Sequence, residues 1–176
     1  MQQYEIHIGA LIKKMLNEVG RSVPWLAQKI HCQRRNVYDI FNRASIDVVL
    51  LLKISLALEI DFFAYFSETL NDKTKFASPR TCCFTPNDEI RIGDLIRNKL
   101  DEDGRKAEWL AQMVNRQRNN IYNVLNNKTS IDTALLLAIS KALKTNFFEY
   151  FSRKYEIMLS ETEIDSNYKC GRCIGL

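Results

Sequence analysis

The sequence predicts an all-α protein built from two copies of one small five-helix unit, and three observations lead to that reading. The chain repeats itself: Ile8-Gly9 aligns with Ile92-Gly93, Trp25-Leu26-Ala27-Gln28 with Trp109-Leu110-Ala111-Gln112, and Ser45-Ile46-Asp47 with Ser130-Ile131-Asp132. The offset is constant apart from one extra residue near Lys128. Self-similarity that long and that infrequent marks a duplicated domain, since solenoid repeats are shorter and more numerous. Apolar residues also recur at helical spacing in each copy. Cap residues, finally, stand where those apolar stripes begin and end.

In the first copy, Ile8, Leu11, Ile12, Met15 and Leu16 form the apolar stripe of a first helix, which stops at Gly20, a natural C-terminal cap. Ser22 caps the second helix. Pro24 lies in its first turn, where a missing N–H costs nothing, and the helix runs to about Ile30. A third helix follows, apolar at Val37, Ile40 and Phe41. Asp47 caps a fourth, carrying Leu50, Leu51, Ile54 and Leu58, and Asp61 caps a short fifth, Phe62-Phe63-Ala64-Tyr65-Phe66.

The second copy follows the same plan. Asn87 is the expected cap of its first helix, with Asp88 and Glu89 opposing the positive end of the helix dipole. The stripe is Ile92, Leu95, Ile96 and Leu100. Leu135, Leu136, Leu137, Ile139 and Leu143 mark the fourth helix, and Phe147-Phe148-Glu149-Tyr150-Phe151, capped by Asn146, the fifth, which continues toward Tyr155, Met158 and Leu159. The expected organisation is therefore a first domain at 1–70, a linker at 71–86, a second domain at 87–160 and a C-terminal tail at 161–176. Two prolines, polar residues and Cys82-Cys83 give the linker its composition. Fully extended it spans roughly 55 Å, and as a coil it separates its ends by about 20 to 25 Å.

A net charge of +4 is too mild to argue for a polyanionic partner by itself. Its distribution says more. No acid lies between Glu18 and Asp39, where Arg21, Lys29, Arg34 and Arg35 fall; between Glu108 and Asp132, Arg116, Arg118 and Lys128 stand unopposed. No apolar run reaches transmembrane length, and Met1-Gln2-Gln3-Tyr4-Glu5 lacks the features of a secretory signal, so a cytoplasmic protein without a membrane partner is expected. Five cysteines, an odd number, argue against a structural disulfide framework in a reducing compartment.

The most informative stretch is Leu26 to Asn42, most of which returns between Leu110 and Asn126. Leu26, Ala27 and Ile30 form one helical face, and Val37, Ile40 and Phe41 form another, out of phase with the first. His31 sits at the turn between them; its counterpart Asn115 is one of the few non-glycine residues that tolerate positive φ. These residues resemble the helix-turn-helix domains of the phage-repressor and Cro type, also called XRE-like. The resemblance rests on Ala27 in the first helix, the turn at His31, Val37 in the second, Phe41-Asn42 at its end and the helices that follow. His31 and Asn115 stand where that family usually has Gly, and Arg116 where it usually has an apolar residue. The resemblance implies two tandem lambda-repressor-like domains that bind double-stranded DNA. It also implies that the last helix of each forms a dimer contact, here made internal by the duplication as a pseudo-dimer, or shared in a homodimer.

Paired arginines taken singly are ordinarily a solvated helix face. Here they stand at the exposed start of the second helix of the motif, and Arg118 repeats the first of them, which points to DNA contact. Arginine's planar fork matches guanine O6 and N7. The expected DNA-binding set is Gln33, Arg34, Arg35, Tyr38, Asp39 and Asn42 in the first copy, with Gln117, Arg118, Asn119, Tyr122, Asn123 and Asn126 in the second. Asn42 and Asn126 hold phosphate and set register. Tyr38 and Tyr122 touch thymine methyls or sugar, or are partly buried against the fourth helix. Because Arg35 aligns with Asn119 and Asp39 with Asn123, one copy offers a second guanine reader and an acceptor for cytosine. The other offers amides suited to adenine.

Trp25 and Trp109 read as core residues. Four aromatics on a five-residue helix exceed what one small core can take, so some of the Phe-Phe-x-Tyr-Phe rings are expected to face outward and join the two domains. Cys170-Gly171-Arg172-Cys173 has the spacing of a metal or redox pair, but adjacent Cys82-Cys83 would not ligate one zinc comfortably, and the segment reads as a tail. His7 and His31 have no nucleophile or carboxylate arrangement beside them, and no glycine-rich phosphate loop is present, so neither an enzyme nor a cofactor is expected. Two functions remain: a sequence-specific transcriptional regulator, of repressor type, and a protein-interaction or antitoxin-like module using the aromatic helices.

Overall fold

The structure, a computed structural model, describes residues 6–71, 91–128 and 130–170, excluding the side chains of 71 and 161–170. The described residues form ten helices: α1 Ile8–Glu18, α2 Val23–Lys29, α3 Arg34–Phe41, α4 Val48–Leu58, α5 Phe62–Asn71, α6 Ile92–Glu102, α7 Ala107–Met113, α8 Arg118–Leu125, α9 Thr133–Leu143 and α10 Phe148–Cys170. No named strand occurs among them.

Local chemistry accounts for most boundaries in the first half. His7 Nδ1 accepts from Ala10 N at 3.1 Å and Ser22 Oγ from Trp25 N at 3.3 Å. Asp47 Oδ1 accepts from Val49 N and Leu50 N at 2.9 and 3.1 Å, and Asp61 Oδ1 from Phe63 N at 2.9 Å. Each satisfies backbone donors that a helix start would leave open. In the second half Asp132 does the same for Leu135 N at 2.6 Å, but Arg91 and Lys106, which replace His7 and Ser22, make no side-chain cap bond.

Several expectations need correction or fall elsewhere. Asn146, expected to cap the last helix, is buried and its Oδ1 receives the Ser67 hydroxyl at 3.4 Å across the two halves. α5 runs on to Asn71 and α10 to Cys170, past the expected boundaries at 70 and 160. Asn87, Asp88, Glu89, Cys82, Cys83, Cys173 and the Cys170 side chain lie outside the described residues.

One cluster of buried apolar residues runs through both halves. The first half contributes Ile8, Ile12, Leu16, Leu26, Val37, Leu51 and Ile54 to it, and the second Ile96, Leu100, Leu110, Ile121, Leu136 and Ile139. Gly9 and Gly93 let the first helix of each half touch the end of the third. A Cβ on Gly9 would come 2.6 Å from the Phe41 carbonyl oxygen and 2.7 Å from that of Arg43; on Gly93 it would meet the Leu125 carbonyl and Asn127 Oδ1, both at 2.7 Å.

The halves meet through reciprocal contacts. Phe63 stacks on Phe151 with centroids 5.1 Å apart, and Phe66 on Phe148 at 4.5 Å. Phe148 aligns with Phe63 and Phe151 with Phe66, so the two stacks are the same contact made twice. A backbone bridge between Asp47 and Asp132 repeats the pattern: Val48 N donates to Ile131 O at 3.0 Å, and its counterpart Thr133 N to Ile46 O at 2.9 Å. Such exchange of equivalent partners is what a two-fold relation produces. It also explains how Phe62, Phe63, Phe66, Phe147, Phe148 and Phe151 are all at most 2% exposed. One half supplies the cover that the other lacks.

Candidate nucleic-acid interface

The candidate surface in the first half is α3. The preceding turn closes through His31, at φ 54°, and Cys32 N, which donates to Ala27 O at 2.9 Å. In the second half Asn115 takes φ 51° and Arg116 N donates to Ala111 O at 2.9 Å, so two turns with different residues share one geometry. Left-handed backbone at a non-glycine residue carries a conformational cost, which the packing of the helices on either side holds in place. Cys32 is partly buried at this turn, and that burial pushes its thiol pKa up.

Beyond the turn, Val37, Ile40 and Phe41 are buried, whereas Gln33, Arg34, Arg35, Tyr38, Asp39 and Asn42 are all exposed. Tyr38 is 56% exposed and meets the Phe41 ring edge-on, so in this half the tyrosine stays at the surface. No described residue pairs with the guanidinium of Arg34 or Arg35. A groove beside the start of α3, bounded by Trp25, Gln28, Gln33 and Arg34, continues the polar face toward α2.

In the second half α8 buries Ile121, Val124 and Leu125. Gln117, Arg118, Asn119 and Asn126 are exposed, while Tyr122 and Asn123 are half-buried. Here the expectation of unopposed charge fails for Arg118: its Nη2 lies 2.7 Å from Glu108 Oε1. Tyr122 completes the cluster, donating its hydroxyl to the same Glu108 oxygen at 2.9 Å, with the Arg118 guanidinium 5.2 Å from its ring centroid. Tyr122 is thus tied to α7 through its hydroxyl. Glu108 is held below the usual carboxylate range, first by its own backbone N–H, then by the Tyr122 hydroxyl and the charges of Arg118 and Lys106. Arg118 is correspondingly pushed up, by the Tyr122 hydroxyl and then by Glu108. Position 24 is the counterpart of Glu108 and holds proline, so the first half has no acid there.

Asn126 is also engaged. Arg97 Nη2 donates to its Oδ1 at 2.6 Å and to Leu125 O at 2.9 Å, so its amide nitrogen is the group left for a ligand. Trp25 and Trp109, expected in the core, pack against its edge. Both are only half-buried and carry cations over their rings: Arg21 at 4.9 Å and Lys29 at 5.9 Å from Trp25, and Arg105 at 3.9 Å from Trp109. The flat indole faces are filled by cation stacking, which spacing alone does not reveal.

No protein-family model, no curated protein and no solved structure matches this chain. Among the described residues no helix is long and apolar enough to cross a membrane.

Proposed function

We propose that the chain is a sequence-specific double-stranded-DNA-binding protein, a transcriptional regulator of repressor type, using two helix-turn-helix domains that act as a covalent pseudo-dimer. The observation that carries this reading is α3. An eight-residue helix buries Val37, Ile40 and Phe41 and presents two arginines, an amide at each end and a tyrosine on a face that is exposed and has no ion-pair partner among the described residues. Those groups bond base edges and phosphate, and a helix of that size fits the major groove. The repetition of the arrangement in α8, with reciprocal packing between the halves, supports two such helices acting on one duplex, with half-sites about one helical turn apart.

The protein-interaction reading loses support because the rings it would present, Phe63, Phe66, Phe148 and Phe151, are stacked on one another between the halves. Selection of bound duplexes from a random pool, followed by binding at several salt concentrations, tests the proposal. Arg34→Ala or Arg118→Ala should weaken the selected site by about 1 to 3 kcal/mol and relax base choice at one position, whereas Asn42→Ala should weaken all duplexes alike. A double arginine variant that binds the selected duplex as tightly as the parent would remove α3 and α8 from the role assigned to them.

A further inference from the structure

One residue outside the expected DNA-binding set controls one of its members. Glu108 stands in the first turn of α7, and its carboxylate reaches across to the start of α8, where one oxygen holds both Arg118 Nη2 and the Tyr122 hydroxyl. We propose that Glu108 is a specificity-determining positioning residue: it denies Arg118 to phosphate while leaving it available to a base. The inference rests on the DNA-binding reading above.

Charge separates the two kinds of ligand. Guanidinium carries five N–H donors, and the contacts with Glu108 and Tyr122 both use Nη2, so the hydrogens on Nη1 and Nε remain. A neutral acceptor such as guanine O6 or N7 can take those donors without opposing Glu108. A phosphate doing the same would place a second anion beside a carboxylate already 2.7 Å from the guanidinium. Like charges at that range repel, and Arg118 is 63% exposed, so the penalty is modest but falls on every non-specific duplex. The same hold keeps the long side chain over the Tyr122 ring, reducing the rotamer freedom lost when it meets a base. The first half has Arg34 and Tyr38 at the matching positions but Pro24 where the acid would be. Its arginine is open to both kinds of ligand.

Glu108 has a simpler duty as well. Lys106 provides no side-chain cap for α7, and an acid in the first turn favours the helix dipole. A purely structural role would therefore lower stability without altering how binding responds to salt.

The test measures binding of the full chain to a selected duplex and to a mixed-sequence duplex as a function of salt. Glu108→Gln should raise affinity for the mixed duplex about twofold to fivefold and steepen its salt slope by about one, narrowing the ratio between selected and mixed duplexes. Pro24→Glu, in the otherwise unchanged chain, should do the reverse by supplying an acid to Arg34, and it carries the test if the first variant folds poorly. If Glu108→Gln lowers the melting temperature but leaves the salt slope and the ratio as in the parent, or if Pro24→Glu leaves the slope unmoved, Glu108 is only a helix-start acid. Should the unsubstituted chain bind no duplex at low salt, the DNA-binding reading itself fails and takes this one with it.

Discussion

α3 and α8 occupy matching places in the repeat, follow turns of the same geometry and bury the same kind of apolar face, yet their polar faces are in different states. Arg34 has no partner among the described residues, whereas Arg118 is held by Glu108 and Tyr122. The tyrosine differs accordingly, exposed at Tyr38 and half-buried at Tyr122. The cause is one position on the preceding helix, Pro24 against Glu108. Duplication preserved the scaffold, because core residues are constrained by their neighbours on all sides. An exposed helix start is not so constrained, and there the copies diverged.

The largest expected effect concerns what the halves share. Phe66→Ala or Phe148→Ala should cost about 3 to 5 kcal/mol, since each removes a buried ring from a contact that crosses the halves. Denaturant unfolding should remain a single transition, and a double-mutant cycle on this pair should return a coupling of about 0.5 to 1.5 kcal/mol. Two separate transitions in the parent would mean that the halves do not stabilise each other.

Gly9 and Gly93 sharpen the comparison further. A Cβ at Gly9 meets the backbone oxygens of Ile40, Phe41 and Arg43, and at Gly93 those of Val124 and Leu125 together with the side chain of Asn127. Gly9→Ala and Gly93→Ala should therefore each cost about 1 to 3 kcal/mol, because in both halves a carbonyl that cannot swing aside blocks the methyl group. A loss at one glycine only, in thermal melts, would show that the close approach is not shared by the two halves.

On DNA, the halves should read different sequences. Footprints of Arg35→Ala and Asn119→Ala on the selected duplex should each lose protection in one half-site, and in opposite ones. A palindrome occupied by two whole chains, each using one half, would break the pseudo-dimer.

The smallest effect is a titration. Glu108 is depressed in the folded chain, so its contribution to stability is present above the unfolded carboxylate value and lost as pH falls through the lower folded one. Tyr122→Phe removes one cause of the depression, and carboxyl titration followed by NMR should move up. An unchanged titration would show that the hydroxyl does not reach Glu108 in solution.

Much of this molecule was legible in the sequence for local reasons. Ser22, Asp47, Asp61 and Asp132 act on backbone donors two or three residues away, so their duties follow from position alone, as does the halt of α1 at Gly20. The exposed set on α3 followed from helical period, because a buried Val37, Ile40 and Phe41 leave the remaining positions outward. What the sequence did not disclose depends on residues distant in the chain. Glu108 looked like the edge of an acid-free interval, but the turn at Asn115 folds α7 against α8 and brings its carboxylate to Arg118. Trp25 and Trp109 do pack against the core, but spacing does not report that the rings lie at its edge with a cation over each. Asn146 reads as a helix-start residue, and only the fold brings the Ser67 hydroxyl of the other half to its side chain. The number of aromatics announced that the rings needed a second surface. Only the packing decided that Phe63 would find Phe151 and Phe66 would find Phe148, since pairing depends on which faces two helices present when they meet, and that is a property of the assembled fold.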